Sequence, residues 1–182
     1  MVTYDDVLKR ASEDSDIMNH LVRLYELTVQ IPIREKVVVE LGVSGGNSTV
    51  ALLAAVNDSG GHLYSVDILA SHVTRKRHRG ESNWTFILGD DMEVVKGWNK
   101  PIDHLFIDTS HTFDHTLNEL REWGKWVKLG GIMTLHDIYL QVSSGKSDVW
   151  YAIEQYMKEN PEKYDFKAFD KSHGLGVLKS LG

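Results

Sequence analysis

The chain has 182 residues, 42% of them apolar and 25% charged, and a formal charge of −6. That length supports one domain with a core of its own, and the negative balance argues against broad nucleic-acid binding, which calls for a basic face. It contains no cysteine, which excludes disulfides, thiolate zinc sites and cysteine nucleophiles; no apolar run nears the ~18 residues of a membrane span and no basic-then-apolar leader opens it, so the cytoplasm is the expected compartment.

In chain order, Thr3-Tyr4-Asp5-Asp6 has the pattern of a capping box that opens a short helix through Val7, Leu8 and Ala11. Ile17, Leu21, Leu24, Tyr25 and Thr28 recur at helical spacing, which predicts a second helix to about Val29, stopped by Pro32. Residues 1–35 are thus a helical extension, for packing or as a lid, before a core spanning 36–179. Val37-Val38-Val39-Glu40-Leu41 reads as a strand buried on both faces. Gly42-Val43-Ser44-Gly45-Gly46 follows as a turn stripped of side chains, and Asn47 or Ser48 is the expected cap of a helix whose inner face is Ala51, Leu52, Ala55 and Val56.

Strands are predicted at 62–67, 84–88, 103–108 and 132–135, with a short helix through Val94 and Val95 after the third strand overall. A long helix marked by Phe113, Leu117, Leu120, Trp123 and Val127 is expected to stop at Gly130-Gly131, with at least one of Trp123 and Trp126 packed in the core. A helix near 149–158 and two strands at 164–169 and 175–178, joined by a turn holding His173, complete an α/β sheet covered by helices on both faces. The basic run Arg75-Lys76-Arg77-His78-Arg79 reads as a solvated loop.

Glu40, Asp67, Asp90, Asp108 and Asp137 each fall at or just past the carboxyl end of a predicted strand. In an open α/β sheet that rim holds the ligand crevice. Of the glycine-loop motifs, a dinucleotide GxGxxG matches at one position in three, because Ser44 and Asn47 stand where glycines belong. A nucleophile elbow GxSxG is matched literally at residues 42–46, with Asp137 and His173 as triad partners in chain order, but too few strands precede Ser44 for that topology. An SGGxDS pyrophosphatase loop fails at Ser48, where its acid should be. A row of acids repels pyrophosphate and attracts a cation.

Glu40-Leu41-Gly42-Val43-Ser44-Gly45-Gly46 resembles the first motif of class I S-adenosylmethionine-dependent methyltransferases, and the resemblance extends through the chain. Asp67 lies 25 positions after Gly42, where that family has its ribose-binding acid. Leu88-Gly89-Asp90 is similar to the segment beside the adenine, Asp103 to Asp108 to the fourth motif, and Leu129-Gly130-Gly131 to an "LxPGG" turn without its proline. Ile107 to His111 and Leu135-His136-Asp137 resemble more narrowly a bacterial subgroup of small-molecule O-methyltransferases and relatives of the cephalosporin-modifying type. The resemblance implies a Rossmann-like doubly wound sheet of about seven strands, mostly parallel, with a C-terminal antiparallel hairpin.

The implied cofactor is S-adenosylmethionine, held by Glu40, Gly42, Ser44, Gly45, Gly46, Ser48, Asp67, Gly89, Asp90, Asp91 and Asp108. In this scheme Glu40 attracts the cationic portion, Asp67 takes both ribose hydroxyls, and Asp90 or Asp91 takes the adenine amino group. His111 is the candidate base with Asp108 beside it, since a neutral imidazole is available near pH 7. Asp108 and Asp137, with His136, are candidate ligands for Mg²⁺. A His-Asp pair stands where metal-binding relatives have paired acids or Asp-Asn, and the bland alternative makes Asp108 a helix cap and His136–Asp137 mutual supports. Tyr139 and the loop through Ser147 are acceptor contacts or a lid, and the acceptor is a small-molecule hydroxyl. A serine hydrolase using Ser44, and a cofactor-binding protein without turnover, are the competing readings. The oligomeric state is open.

Overall fold

The first strand, β1 (Lys36–Leu41), is buried along nearly its whole length because its valines serve two helical layers at once. Val38 faces one core, and Val39 and Leu41 face the other, as the two-residue side-chain period of a strand requires. The computed structural model describes residues 1–69, 80–140 and 147–182. The basic run at 75–79 and the Ser143-Ser144-Gly145 loop lie outside the described residues.

Strands β2 (Gly61–Asp67), β3 (Trp84–Leu88), β4 (Ile102–Ile107), β5 (Val127–His136), β6 (Tyr164–Phe169) and β7 (Leu175–Ser180) join β1 in one seven-stranded sheet of order β3-β2-β1-β4-β5-β7-β6. Neighbouring strands from β3 to β5 are parallel, and β7 runs antiparallel to both β5 and β6. The fold is therefore the expected doubly wound α/β sheet with a terminal hairpin. Its order reverses between β1 and β4, and a ligand crevice belongs at the carboxyl ends of those two strands.

Helices α1 (Tyr4–Ala11), α2 (Leu21–Val29) and α3 (Asn47–Ser59) cover one face, where Val7, Leu21, Leu24 and Leu52 pack with Val38, Leu63 and Phe106. Helices α4 (Asp91–Val94), α5 (Phe113–Trp123) and α6 (Asp148–Glu159) lie along the other, where Leu117, Leu120, Trp123 and Ile153 pack with Val39, Leu105 and Met133. The Thr3 backbone N–H and hydroxyl both donate to Asp6 Oδ2, at 2.9 Å each, and so open α1. Among the described residues no helix is long and apolar enough to cross a membrane.

Three boundaries differ from the sequence reading. Ile17 precedes a 3-10 turn, Met18–His20, and α2 proper begins only at Leu21. Helix α5 ends at Trp123, and β5 starts at Val127, ahead of the glycine pair. Gly124 is where the chain leaves the helix, and an added Cβ there would stand 2.6 Å from Tyr156 Oη. Gly130, at φ +77°, lies inside β5 within a shift of register against β4, so the glycine pair bends a strand instead of ending a helix. Third, the cap of α3 is Gly46 at φ +77°, not Asn47 or Ser48.

His104, in the middle of β4, is a core histidine. Its Nδ1 pairs with Thr28 Oγ1 (2.7 Å) and its Nε2 with Thr134 Oγ1 (2.8 Å), and burial pushes it down to about 3, so it stays neutral.

Candidate functional site

Four βα turns converge above the switch point. The backbone N–H of Gly42 donates to Val66 O at 3.0 Å, that of Asp108 to Leu41 O at 2.9 Å, and that of Gly89 to Asp67 O at 3.0 Å, so the strand ends are laced together before any side chain is considered. Gly42 sits at φ +85°, and a Cβ there would lie 1.9 Å from Asp108 O. Only glycine lets the first turn pass that close to the fourth.

These turns enclose a cavity of about 340 Å³, within the roughly 300–1,000 Å³ of small-ligand sites. The predicted residues Gly42, Ser44, Asp67, Gly89, Asp90, Asp91 and Asp108 all line it. Gly45, for which an added Cβ meets nothing within 4 Å, lies on the same exposed turn, and Gly46 ends that turn as the α3 cap.

Asp67 holds the glycine turn in place. Its Oδ2 accepts the N–H groups of Val43 (2.8 Å) and Ser44 (3.0 Å), and its Oδ1 accepts that of Leu69 (2.8 Å). A carboxylate offers about four acceptor positions, so three are in use and one ribose hydroxyl, not two, finds a ready place. Asp90 caps α4 through Oδ1, which accepts from Met92 N and Glu93 N at 2.8 and 3.3 Å.

Glu40 and Ser48 are placed differently from the sequence reading: neither lines the cavity. Glu40 is fully buried, and its carboxyl takes the hydroxyls of Ser48 (2.6 Å), Thr49 (2.9 and 3.1 Å) and Ser65 (2.5 Å). It fixes α3 against β1 and β2 from below, and any pull on a cationic ligand acts at a distance. Burial pushes this carboxyl up to about 7, against the lowering effect of the three hydroxyls.

A prediction follows for stability. Glu40 is protonated in the folded chain and ionised in the unfolded one between its ordinary 4.5 and about 7. Its contribution is therefore greatest below pH 4.5 and declines as pH rises toward 7, by on the order of 3 kcal/mol. Glu40→Gln should flatten that part of the profile. Urea unfolding of both proteins at pH 5 and 7.5 measures it, and equal slopes would refute the assignment.

The second part of the site is a ring of acids and imidazoles. His111 Nε2 lies 2.9 Å from Asp108 Oδ1 and 3.1 Å from Asp137 Oδ2. His136 donates from Nε2 to Ser172 O at 2.8 Å, which leaves its Nδ1 3.5 Å from Asp108 Oδ1 and 3.4 Å from Asp137 Oδ1. His173 Nδ1 closes on Asp137 Oδ1 at 3.3 Å. His111 (φ +56°) and Asp137 (φ +61°) both sit in the left-handed region, as does Ser44 (φ +44°), a concentration of backbone strain typical of functional sites.

The electrostatics bear on the role expected of His111. The Asp108 hydrogen bond raises its pKa against the effect of burial, which makes His111 a stronger proton acceptor than a free imidazole. Burial alone would raise Asp108, but the His111 hydrogen bond and the His136 imidazole beside it bring its carboxyl below the usual range. Burial raises Asp137.

The ligand atoms of Asp108, His111 and Asp137 all lie within 4.8 Å of one another. His111 joins the candidate metal set, and His136 stays beside it: with Nε2 on a carbonyl, its Nδ1 faces the same two carboxylates at 3.5 and 3.4 Å. Asp137 Oδ1 and His136 Nδ1 are buried without a hydrogen-bond partner, the kind of vacancy in donor satisfaction that a cation fills.

Tyr139 stacks on Trp150 at 5.3 Å, and Ser147 accepts from Trp150 N as the cap of α6. Trp123 is buried in the core. Sequence reasoning missed Thr109 and His115, both on the cavity wall. The apolar stripe of α5 drew attention to Leu117 and Leu120, although the i, i+4 spacing of His115 and Glu119 was a readable signal.

Residues 39–138 match the profile of a family described as a methyltransferase domain, which is more than half of the chain. Among solved structures, the chain is similar to an inferred O-methyltransferase from Klebsiella pneumoniae, with 16% identity, TM-score 0.74, and 98% of this chain and 89% of that one covered. It is also similar to cofactor-bound Rv0187 from MTB (15%, TM-score 0.73, 98% and 89%) and to an rRNA methylase from Streptococcus thermophilus (15%, TM-score 0.67, 93% and 98%).

Proposed function

The chain belongs to the methyltransferase-domain family and is a class I S-adenosylmethionine-dependent methyltransferase; from that premise we propose that it methylates a hydroxyl oxygen of a small molecule, with a divalent cation at Asp108, His111 and Asp137. The single observation behind this reading is the side-chain-free turn at Gly42, pressed on the Asp108 backbone so that the cofactor cavity and the acid–imidazole ring share one residue.

S-adenosylmethionine, when bound, supplies a methyl group on a sulfonium for in-line displacement. The glycine turn gives the aminoacyl end close access to backbone, Asp67 accepts a ribose hydroxyl, and the free oxygen of Asp90 with the wall around Asp91 meets the adenine edge. Asp108 and Asp137 carry the negative charge that keeps a cationic donor at the mouth of the cavity. A cation in their ring would lower the pKa of an acceptor hydroxyl. Without one, His111 accepts the proton that the acceptor hydroxyl loses on methyl transfer, and Asp108 beside it stabilises the imidazolium that forms. The donor set of two carboxylates and one imidazole, with an orphaned Asp137 oxygen beside it, fits such an ion.

The hydrolase reading is disfavoured. Asp137 does meet His173, but His173 is not part of the cavity wall that holds Ser44. An RNA acceptor, as in the streptococcal relative, is disfavoured by the net charge of −6 and the acidic rim.

Calorimetry with S-adenosylhomocysteine, with Mg²⁺ and with EDTA, tests the binding half. One-to-one binding is expected, and its absence would remove the proposal. Labelled methyl transfer to a panel of alcohols and catechols tests the rest: chelator-sensitive transfer supports the metal, transfer indifferent to EDTA removes it, and binding without any transfer removes the acceptor class.

A further inference from the structure

A second titratable cluster lies at the other end of the cavity, and the methyl-transfer scheme does not use it as a unit. Asp91 opens α4, and His115 and Glu119 stand one turn apart on α5. His115 Nε2 is 3.2 Å from Asp91 Oδ1 and 3.5 Å from Glu119 Oε1, and the three ligand atoms lie within 4.8 Å of one another. Glu119 Oε1 also accepts the Thr109 hydroxyl at 2.8 Å.

The Glu119 side chain is fully buried and that of Asp91 is 10% exposed, yet Glu119 Oε2 and Asp91 Oδ2 have no hydrogen-bond partner. Two buried carboxylate oxygens left unpaired are costly, and a single imidazole cannot satisfy both. A proton or a cation shared between them relieves that cost. We propose that Asp91, His115 and Glu119 form a second divalent-metal site, of the zinc type, which pins α4 to α5 beneath the cofactor cavity.

Tetrahedral zinc ligands with bonds of about 2.0–2.1 Å stand about 3.3 Å apart. His115 Nε2 is 3.2 and 3.5 Å from one oxygen of each carboxylate. The three residues' ligand atoms lie within 4.8 Å of one another, so a small closure of the two carboxylates brings them round an ion. An imidazole among the ligands favours zinc or a neighbouring transition ion over Mg²⁺ or Ca²⁺. Asp91 and His115 line the cavity while Glu119 lies behind them, so a fourth position opens toward solvent or ligand. This site shares no residue with the Asp108–His111–Asp137 ring, and it stands whether or not that ring holds an ion.

Equilibrium zinc titration of the chelator-stripped full chain decides the matter, with His115→Ala, Glu119→Gln and Asp137→Asn as comparisons. The expected result is that His115→Ala takes up one equivalent fewer than the parent, while Asp137→Asn retains that equivalent. Glu119→Gln keeps the imidazole and should weaken the same equivalent by roughly tenfold or more. Zinc at about 100 times its dissociation constant should raise the melting temperature of the parent by about 5 °C or more through this site, and that part of the rise should vanish in His115→Ala. Equal stoichiometry in the parent and His115→Ala, or loss of the equivalent in Asp137→Asn instead, would show His115 to be only an imidazolium between two carboxylates. Retained zinc uptake by Glu119→Gln with undiminished affinity would overturn the site as well.

Discussion

Gly42→Ala should cost about 4 kcal/mol or more and remove measurable cofactor binding. The new Cβ would stand 1.9 Å from Asp108 O and 2.7 Å from Asp108 C. Both are backbone atoms, so no rotamer change relieves the overlap. The φ of +85° adds about 1–2 kcal/mol for any L side chain. Relief requires prying the first turn off the end of β4, which gives up the Asp108 N–H to Leu41 O and Gly42 N–H to Val66 O hydrogen bonds.

A domain of this size is typically stable by about 5–15 kcal/mol, so such a loss leaves little in reserve. Gly45→Ala is the proper comparison, because a Cβ there meets nothing within 4 Å and its φ is not left-handed. Urea midpoints should differ strongly between the two variants. If Gly42→Ala proves as stable as Gly45→Ala, the close approach of β1 and β4 turns is not as described.

The strands were legible because each is a short apolar run bounded by turn residues, and β1 to β4 fall within a residue or two of their expected limits. The rim of acids was legible for the same reason, since strand ends fix where side chains emerge. What hid was tertiary. Val127 continues the apolar spacing of α5 and so reads as helix, but Gly124 must be glycine to clear Tyr156, and the helix stops there. Nothing local in Glu40 says that three hydroxyls will close over it; Ser48, Thr49 and Ser65 arrive from two other elements. That His136 turns Nδ1 and not Nε2 toward the acids depends on a carbonyl from the β6–β7 turn, 36 residues away, that holds Nε2. Spacing alone carries no information about that contact.

Asp108→Asn should lower turnover by roughly 10²–10⁴-fold while S-adenosylhomocysteine affinity changes far less. Asp108 is the one residue common to both halves of the site: its backbone oxygen lies under Gly42, and its carboxylate faces His111 at 2.9 Å and His136 at 3.5 Å. Both imidazoles are raised in pKa, His111 by the Asp108 hydrogen bond first and His136 by Asp108 and Asp137 against the effect of its burial. An amide of the same shape keeps one acceptor oxygen for His111 but removes the charge, and it presents an N–H₂ where a cation or an acceptor proton would be received. The fold should survive, because the backbone contacts of residue 108 are untouched. Titration of the histidine ring resonances supplies the independent readout, with both imidazoles expected to lose their protons at lower pH in the variant than in the parent. If turnover falls less than tenfold, or if the ring resonances titrate unchanged, the carboxylate does not organise this ring, and the transfer chemistry must be sought at another part of the cavity wall.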